Sequence, residues 1–415
     1  MGAMSAKGEG AFAALKIPVF RVLWLGTTLS FLSFFMSTIV QSVVAFEIAG
    51  NNSAVGMIVF GQGLAMLLMG PIGGAFADRW PRRRVVVVGQ LLASVIFLGT
   101  AILIAKGVLT IFWLASSAFS TGVAIAFVGP ARQGMTVDVV PASLRGNAMA
   151  INTVGNTTSR VLGPVLAGVL LAWEVSEAVG AYLAMTCFYI AAAASMRWVP
   201  PSIVQPGARS RPVLADVAEG LRYVWANKRL RLLVLFFTMV IFMGFPHVTI
   251  LPGLAENVFG RGAAGVSELF FVSALGALLA SLAVTRFGDS PNADFVYIAM
   301  AVLFGVSLLG LAWAPGFRSA QVAMFGVGAG SGAFQSLNAA VIARETEIAY
   351  IGRVMSLVML AFGGFGLMAL PYGYLADGLG ERNTVMLMGF SVLGLAVIFG
   401  TLLLRERASP AAPHS

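Results

Sequence analysis

Apolar runs of about 20 residues alternate with short polar breaks along almost the whole chain. As helix, a run of that length spans about 30 Å, the hydrocarbon thickness of a bilayer. The pattern predicts twelve such spans: Phe20–Ile48, Ala54–Ala77, Val85–Ala105, Leu109–Val128, Ala148–Trp173, Ala178–Met196, Leu232–Leu254, Ala264–Val284, Phe295–Ala314, Ser319–Ala343, Val354–Leu375 and Thr384–Leu404. The fold class expected is all-α and membrane-embedded. Composition agrees: 59% of residues are hydrophobic, 10% are charged, and the mean hydropathy is +0.90. A water-soluble core has no need of so many long apolar runs. The first run is too long for a signal-peptide core and has no small-residue cleavage site after it, so it is expected to remain as a span.

The breaks set the organisation. Most of the 26 Lys and Arg fall in alternate breaks. The other set carries only Lys106, Arg261, Arg318 and Arg382, and Arg160 lies within a span. Under the positive-inside rule both termini are then cytoplasmic, in a cell (inner) membrane. The net charge of +9 is thereby explained by loops facing a membrane surface, and no nucleic-acid partner is expected. The one cysteine, Cys187, lies in an apolar run and reads as a small buried residue. No metal-ligand spacing appears, and no cofactor is expected. Arg132, Asp138, Pro141 and Arg145 read as one polar connector after the fourth span. The segment Arg197–Arg231 is rich in proline and charge at first. Leu214, Val217, Leu221 and Val224 then share a helical face, which predicts a helix lying at the membrane interface, or a plain connecting helix. The domains expected are residues 1–18 (cytoplasmic segment), 19–197 (six-helix bundle), 198–230 (central loop), 231–405 (six-helix bundle) and 406–415 (tail).

Between the second and third spans lies Gly73-Gly74-Ala75-Phe76-Ala77-Asp78-Arg79-Trp80-Pro81-Arg82-Arg83-Arg84. So dense a charge cluster cannot lie in hydrocarbon, so the chain must leave the membrane there. The spacing Gly-x-x-x-Asp-Arg-x-x-Arg-Arg resembles the loop 2–3 signature of the major facilitator superfamily. Gly74, Asp78, Arg79, Arg82 and Arg83 fall on its positions, and Pro81 stands where the signature has glycine. A basic loop of any membrane protein is the simpler alternative. The halves of the chain also match one another at a nearly constant offset: Gly146–Ile151 with Gly352–Leu357, Pro164 with Pro371, Arg79 with Arg286 and Met36 with Met243. Two pseudo-symmetric six-helix bundles, with a substrate site between them, are what the resemblance implies. It also implies that Asp78 meets the start of the eleventh span, and that Arg82 or Arg83 pairs with Asp138.

Further stretches resemble the exporter branch of that superfamily, which includes the enterobactin exporter and macrolide efflux proteins. They are Glu219-Gly220-Leu221-Arg222-Tyr223-Val224, Leu251-Pro252, Arg353-Val354-Met355-Ser356-Leu357 and Ala376-Asp377. Gly163-Pro164 falls on the fifth-span antiporter motif, although Ser159 and Ala167 replace two of its glycines. A packing kink and a kink needed for transport are about equally good readings of Gly163 and Pro164. No phosphate-cradling Gly-x-x-x-x-Gly-Lys-Ser/Thr occurs, so the resemblance implies energy from an ion gradient, most often protons.

Polar side chains inside apolar runs usually face one another or a cavity. Asn152, Asn156 and Arg160 recur every four residues and share a helical face. Gln335 and Asn338 do the same in the tenth span. These five are the candidate substrate-cavity residues. Arg160 either binds an anionic or carbonyl-rich substrate or braces its helix, through backbone carbonyls or a partner such as Gln41. Glu268 and His247 are candidates for proton coupling, because burial favours the neutral carboxylic acid and an imidazole titrates near neutrality. The simpler reading puts both in water at the outer ends of their spans.

The function expected is secondary active transport: a monomeric, proton-coupled exporter of an amphipathic small molecule such as a drug or siderophore. The alternatives are an importer of a sugar, organic acid or lysolipid on the same fold, and a membrane sensor without transport. An enzyme is not expected, since no catalytic cluster of His, Asp and Glu is present.

Overall fold

The computed structural model describes residues 12–172, 177–201, 213–284, 292–347 and 350–408, together with Phe287 and Ser290. Nearly all of them are helical. The helices are α1 (Pro18–Ala49), α2 (Asn52–Arg79), α3 (Arg82–Ala105), α4 (Ile111–Asp138), α5 (Arg145–Leu171), α6 (Glu177–Ser195), α7 (Val213–Ala226), α8 (Lys228–Gly244), α9 (His247–Gly253), α10 (Gly262–Val284), α11 (Ala293–Ala312), α12 (Phe317–Glu345), α13 (Ile351–Leu379) and α14 (Glu381–Ala408). Ten spans among the described residues are long and apolar enough to cross a membrane. The long helices α5 and α12 are not among the ten. They carry the Asn, Arg and Gln stripes and many glycines, which lower their hydropathy, and counting them is consistent with twelve. The expected seventh span is divided. Phe245 and Pro246 separate α8 from α9, where proline can neither donate to the helix nor follow a regular turn. Past Pro252 the chain makes one π-helical turn, Leu254–Val258.

The chain packs as two compact units: residues 1–44 with 64–210, and 45–63 with 211–415. In the first, α3 packs on α4 and α6, and α5 on α4 and α6. Phe97 sits between Tyr182 and Tyr189, with ring centroids 5.8 and 5.7 Å away. In the second, α12 packs on α10 and α11, α11 on α14, and α8 on α13 and α14. Tyr297 and Phe334 lie parallel at 4.5 Å, and Phe236 meets both edge-on at 5.5 Å. Small residues let α12 approach α10: a Cβ on Gly332 would stand 2.6 Å from that of Ala277.

Residues 45–63 pack with the second unit, although by sequence they belong to the first half. Asp377 at the end of α13 accepts from the backbone N–H of Asn52 (2.6 Å) and of Ser53 (3.0 Å), capping the first turn of α2. Such donors have no partner within their own helix, and the positive helix end favours a carboxylate. One turn further, Gly56 lies against the Ala369 carbonyl, and Gly63 meets Gly366 almost backbone to backbone.

Two expectations need correction. The fourth span does not end near Val128 but continues through Pro130 to Asp138, so Arg132 is a buried helix residue rather than part of a connector. Ala131 and Met135 extend the buried stripe of Val128 against Val85 and Val86, and that packing carries the helix past the proline. Cys187 is exposed. On α7 the apolar residues divide between two faces. Gly220 and Val224 are buried, whereas Leu221 and Trp225 point outward. The docked face fits α13: Gly220 lies on Arg353, Tyr223 stacks on Tyr350 at 4.1 Å, and Arg353 pairs with Glu219 at 3.3 Å. The side chain of Leu214 and the degenerate second copy of the charged stretch around Arg286 lie outside what is described.

Candidate functional site

In the charged stretch only Trp80 and Pro81 separate α2 from α3. Pro81 occupies the N-cap of α3 with φ −55°, and its carbonyl accepts from Arg84 and Val85. A proline with fixed φ suits a helix start, where its missing N–H costs nothing. It therefore replaces the signature's glycine without breaking the turn. Phe76 stacks on Trp80 at 4.7 Å, which pins the last turn of α2. Arg82 donates to Asp138 at 2.8 Å. Its guanidinium crosses α4 over Gly134, where an added Cβ would stand 2.6 Å from Cζ. Arg83 turns instead to the carbonyl of Arg197 at 3.4 Å. Gly74, Asp78 and Arg79 lie in the last turns of α2, and their side chains are outside what is described.

On α5, every fourth residue from Ile151 is buried: Ile151, Gly155, Ser159, Gly163 and Ala167. This stripe packs on α1. The Trp24 indole donates to the Ile151 carbonyl at 3.0 Å. Gly155 lies against Trp24 and Thr28, and Gly163 against Phe35 and Met36. Ser159, which replaces a motif glycine, turns its hydroxyl to the Gly155 and Thr28 carbonyls (2.8 and 3.2 Å), so the substitution keeps the two helices in contact. Asn152, Asn156 and Arg160 form the next stripe round. Asn152 and Asn156 are half-buried and Arg160 is exposed. Among the described residues Arg160 has no hydrogen bond or ion pair. Gln41 does not brace it: that amide is buried with its nitrogen unpartnered.

Asn156 borders a cavity of about 100 Å³ inside the first unit, walled by residues of α1, α3, α4, α5 and α6. Arg132 lines it, only 6% exposed. Its guanidinium lies 5.5 Å from the Phe31 ring centroid, and its Nε has no hydrogen-bond partner. Gln90 donates to the Ser30 hydroxyl at 3.0 Å and leaves its own Oε1 unpartnered. The sequence reading missed this group. The available signal was the helical period Ala124, Val128, Ala131/Arg132, Met135, which runs straight through Pro130.

In the second unit the expected pair on α12 separates. Asn338 is buried and accepts from the Tyr297 hydroxyl at 2.9 Å. Gln335 is half-buried and donates to the Ser331 carbonyl of its own helix. The three-residue spacing leaves them about 60° apart, enough for one to face the aromatic core and the other its edge. Glu268 is exposed rather than buried, and accepts from Gln321 at 2.8 Å. His247 is the reverse: expected in water, it is buried against Phe304 with Nδ1 2.8 Å from the Gly244 carbonyl. The sequence reading also missed Asp294, 1% exposed, which receives Arg229 (2.6 Å) and Arg344 (3.3 Å). Among the described residues no cluster of His, Cys, Asp and Glu is placed to hold a metal.

The long apolar helices in two units and the charged turn between α2 and α3 define a multi-pass membrane transporter of the major facilitator type. Residues 23–369 match the model of the Major Facilitator Superfamily, and the chain belongs to that family. It is similar to the staphyloferrin A transporter of Staphylococcus aureus, at 25% identity over 84% of this chain and 87% of that protein. It is also similar to macrolide efflux protein A of Streptococcus pyogenes, at 21% identity over 91% and 94%. Among solved structures, a bacterial homologue of the human lysosomal transporter Spinster superposes with a TM-score of 0.71, at 17% identity over 96% of this chain and 99% of that one.

Proposed function

We propose that this protein is a proton-coupled secondary transporter that exports an amphipathic small molecule from the cytoplasm by alternating access. It would work as a monomer in the cell (inner) membrane, with both termini cytoplasmic. The observation that carries the direction is the likeness, over about nine-tenths of both chains, to a macrolide efflux protein. The likeness to a siderophore transporter keeps a siderophore beside a drug as substrate. The close-packed α5–α1 seam gives Gly163-Pro164 a packing role, and a role in transport is left to the flux test below.

Within this reading Asn152, Asn156 and Arg160 contact the substrate, and the absence of any bracing partner for Arg160 among the described residues favours binding over a structural role. Gln335 contributes from α12, whereas Asn338 is structural. Gly74, Asp78, Arg79, Arg82, Arg83 and Asp138 act as the gate, with the Arg82–Asp138 pair tying α3 to α4. For coupling, Glu268 has the access to solvent that proton exchange needs, and His247 has the burial.

The test is flux in proteoliposomes of known orientation. Erythromycin and a ferric siderophore are loaded on one side, and a pH gradient is imposed in either direction. Export predicts movement against the inward proton gradient, collapsed by a protonophore. Movement only with the gradient would make the protein an importer.

A further inference from the structure

The helix α2 belongs to both compact units: residues 52–63 pack with the second and 64–79 with the first. Its start is held by α13 and α14. Asp377 accepts from the backbone N–H groups of Asn52 and Ser53. Glu381, the first residue of α14, accepts from the side-chain amides of Asn52 (3.1 Å) and Asn257 (2.7 Å). A Cβ on Gly373 would stand 2.7 Å from the Asn52 carbonyl, and one on Gly366 2.9 Å from the Val59 carbonyl. These contacts are not needed to form α2, because Asn51 already caps it, accepting from the Ala54 N–H at 2.9 Å. Nor do they resemble a permanent strut. Asp377 is exposed and Glu381 half-buried. Among the described residues neither has a cationic partner, and the neighbouring Arg382 turns to the carbonyls of Ala312 and Ala314. Their donors can be exchanged for water without stranding a buried charge. Glycine backbones such as Gly63 and Gly366 part and rejoin with no side chain to reorder. Asp294 is the opposite case, a carboxylate 1% exposed between two arginines.

We propose that Asp377 and Glu381 form the outer gate of the transporter: engaged, they hold the tip of α1 and α2 on α13 and α14 and close the exit, and each transport cycle releases them. This inference rests on the transporter reading and on its orientation. With both termini cytoplasmic, the α1–α2 tip and the α13–α14 turn lie at the outer face, where an exported substrate leaves. A gate needs two states of similar free energy, so that a modest difference in binding can move it from one to the other. The contacts suit that need. The positive end of α2 favours the Asp377 carboxylate, while exposure to water keeps the gain no larger than that of an ordinary helix cap.

Accessibility tests the gate without transport. The full chain carrying Cys187→Ser receives one reporter cysteine at a time and is placed in proteoliposomes of known orientation. Val59→Cys reports on the seam of α2 with α13, where residue 59 is 8% exposed. Thr153→Cys reports on an exposed position in the cytoplasmic half of α5. A membrane-impermeant maleimide is applied outside for the first and on the cytoplasmic side for the second. Val59→Cys is expected to react slowly. Adding Asp377→Ala should speed it several-fold, the scale of a lost helix cap, and Asp377→Asn, which keeps one acceptor, by less. Thr153→Cys should react no faster in either variant, whereas general loosening would speed both reporters. Should Asp377→Ala fail to fold, Glu381→Ala leaves the α2 cap in place and is expected to speed Val59→Cys likewise. Equal rates with and without these substitutions overturn the proposal. So does faster labelling of both reporters, or labelling of Val59→Cys from the cytoplasmic side alone. Erythromycin flux with unchanged labelling would defeat the gate alone. Faster outer labelling in a protein that moves no substrate would keep the Asp377–Glu381 latch and defeat the transporter reading.

Discussion

Gly163→Ala is the sharpest test of the α5–α1 seam. A Cβ at this position would stand 2.7 Å from Phe35 Cβ and 3.2 Å from the Met36 backbone nitrogen. Carbon atoms at rest are about 3.5–4.0 Å apart, so α1 and α5 must part by roughly 1 Å. Neither obstacle can swing aside, because Phe35 Cβ and Met36 N are fixed by the α1 backbone. Overpacking of this kind costs about 1–3 kcal/mol. Against it, alanine in place of glycine in a helix gains about 0.4–1 kcal/mol. The net expectation is a loss of about 1–2 kcal/mol, a drop in melting temperature of a few degrees or less for a chain of this length. The assay is thermal unfolding of purified protein in one detergent. Gly146→Ala on the same helix is the control, because a Cβ there meets nothing within 4 Å. That control is expected to melt at or slightly above the wild type. If Gly163→Ala melted with Gly146→Ala, the close approach would be wrong, and the antiporter motif would have no packing role here.

Arg160→Gln is expected to keep the wild-type melting temperature and to lose affinity, most for anionic substrates; a drop in melting temperature would restore the bracing role. Asp294→Ala removes the buried carboxylate that Arg229 and Arg344 share, but both keep Glu345 at 3.1 and 3.6 Å, so the cost should be about 1–3 kcal/mol by thermal unfolding. Tyr297→Phe strands the Asn338 oxygen in the core and should cost about 1–3 kcal/mol by thermal unfolding, with transport retained once folded. Asp138→Asn breaks a partly exposed pair worth no more than about 1 kcal/mol. Its melting temperature should barely move while flux falls, and unchanged flux would remove the Arg82–Asp138 pair from the gate.

The sequence by itself determined the class of fold. Apolar run length and loop charge are local quantities, and hydrocarbon thickness reads them directly, so the helices fall close to where the runs predicted. The charged stretch at Asp78–Arg84 and the four-residue stripe of Asn152, Asn156 and Arg160 were legible for the same reason: each is a spacing along one helix or turn. Only the tertiary structure decided what each polar side chain meets. Periodicity put Gln335 and Asn338 on one face, but whether a face turns to the core depends on Tyr297, some forty residues away. It could not set the ends of spans either, because Pro130 looks like a stop until the packing of Ala131 and Met135 on α3 pulls the helix through it. Arg132 was misread on that account. Its charge argued for water, and its burial is decided by neighbours on α1 and α3 that no local pattern reveals. Asp377 makes the same point: a carboxylate ending one helix caps another begun more than three hundred residues earlier, a contact set by three-dimensional packing and carried by no spacing in the chain.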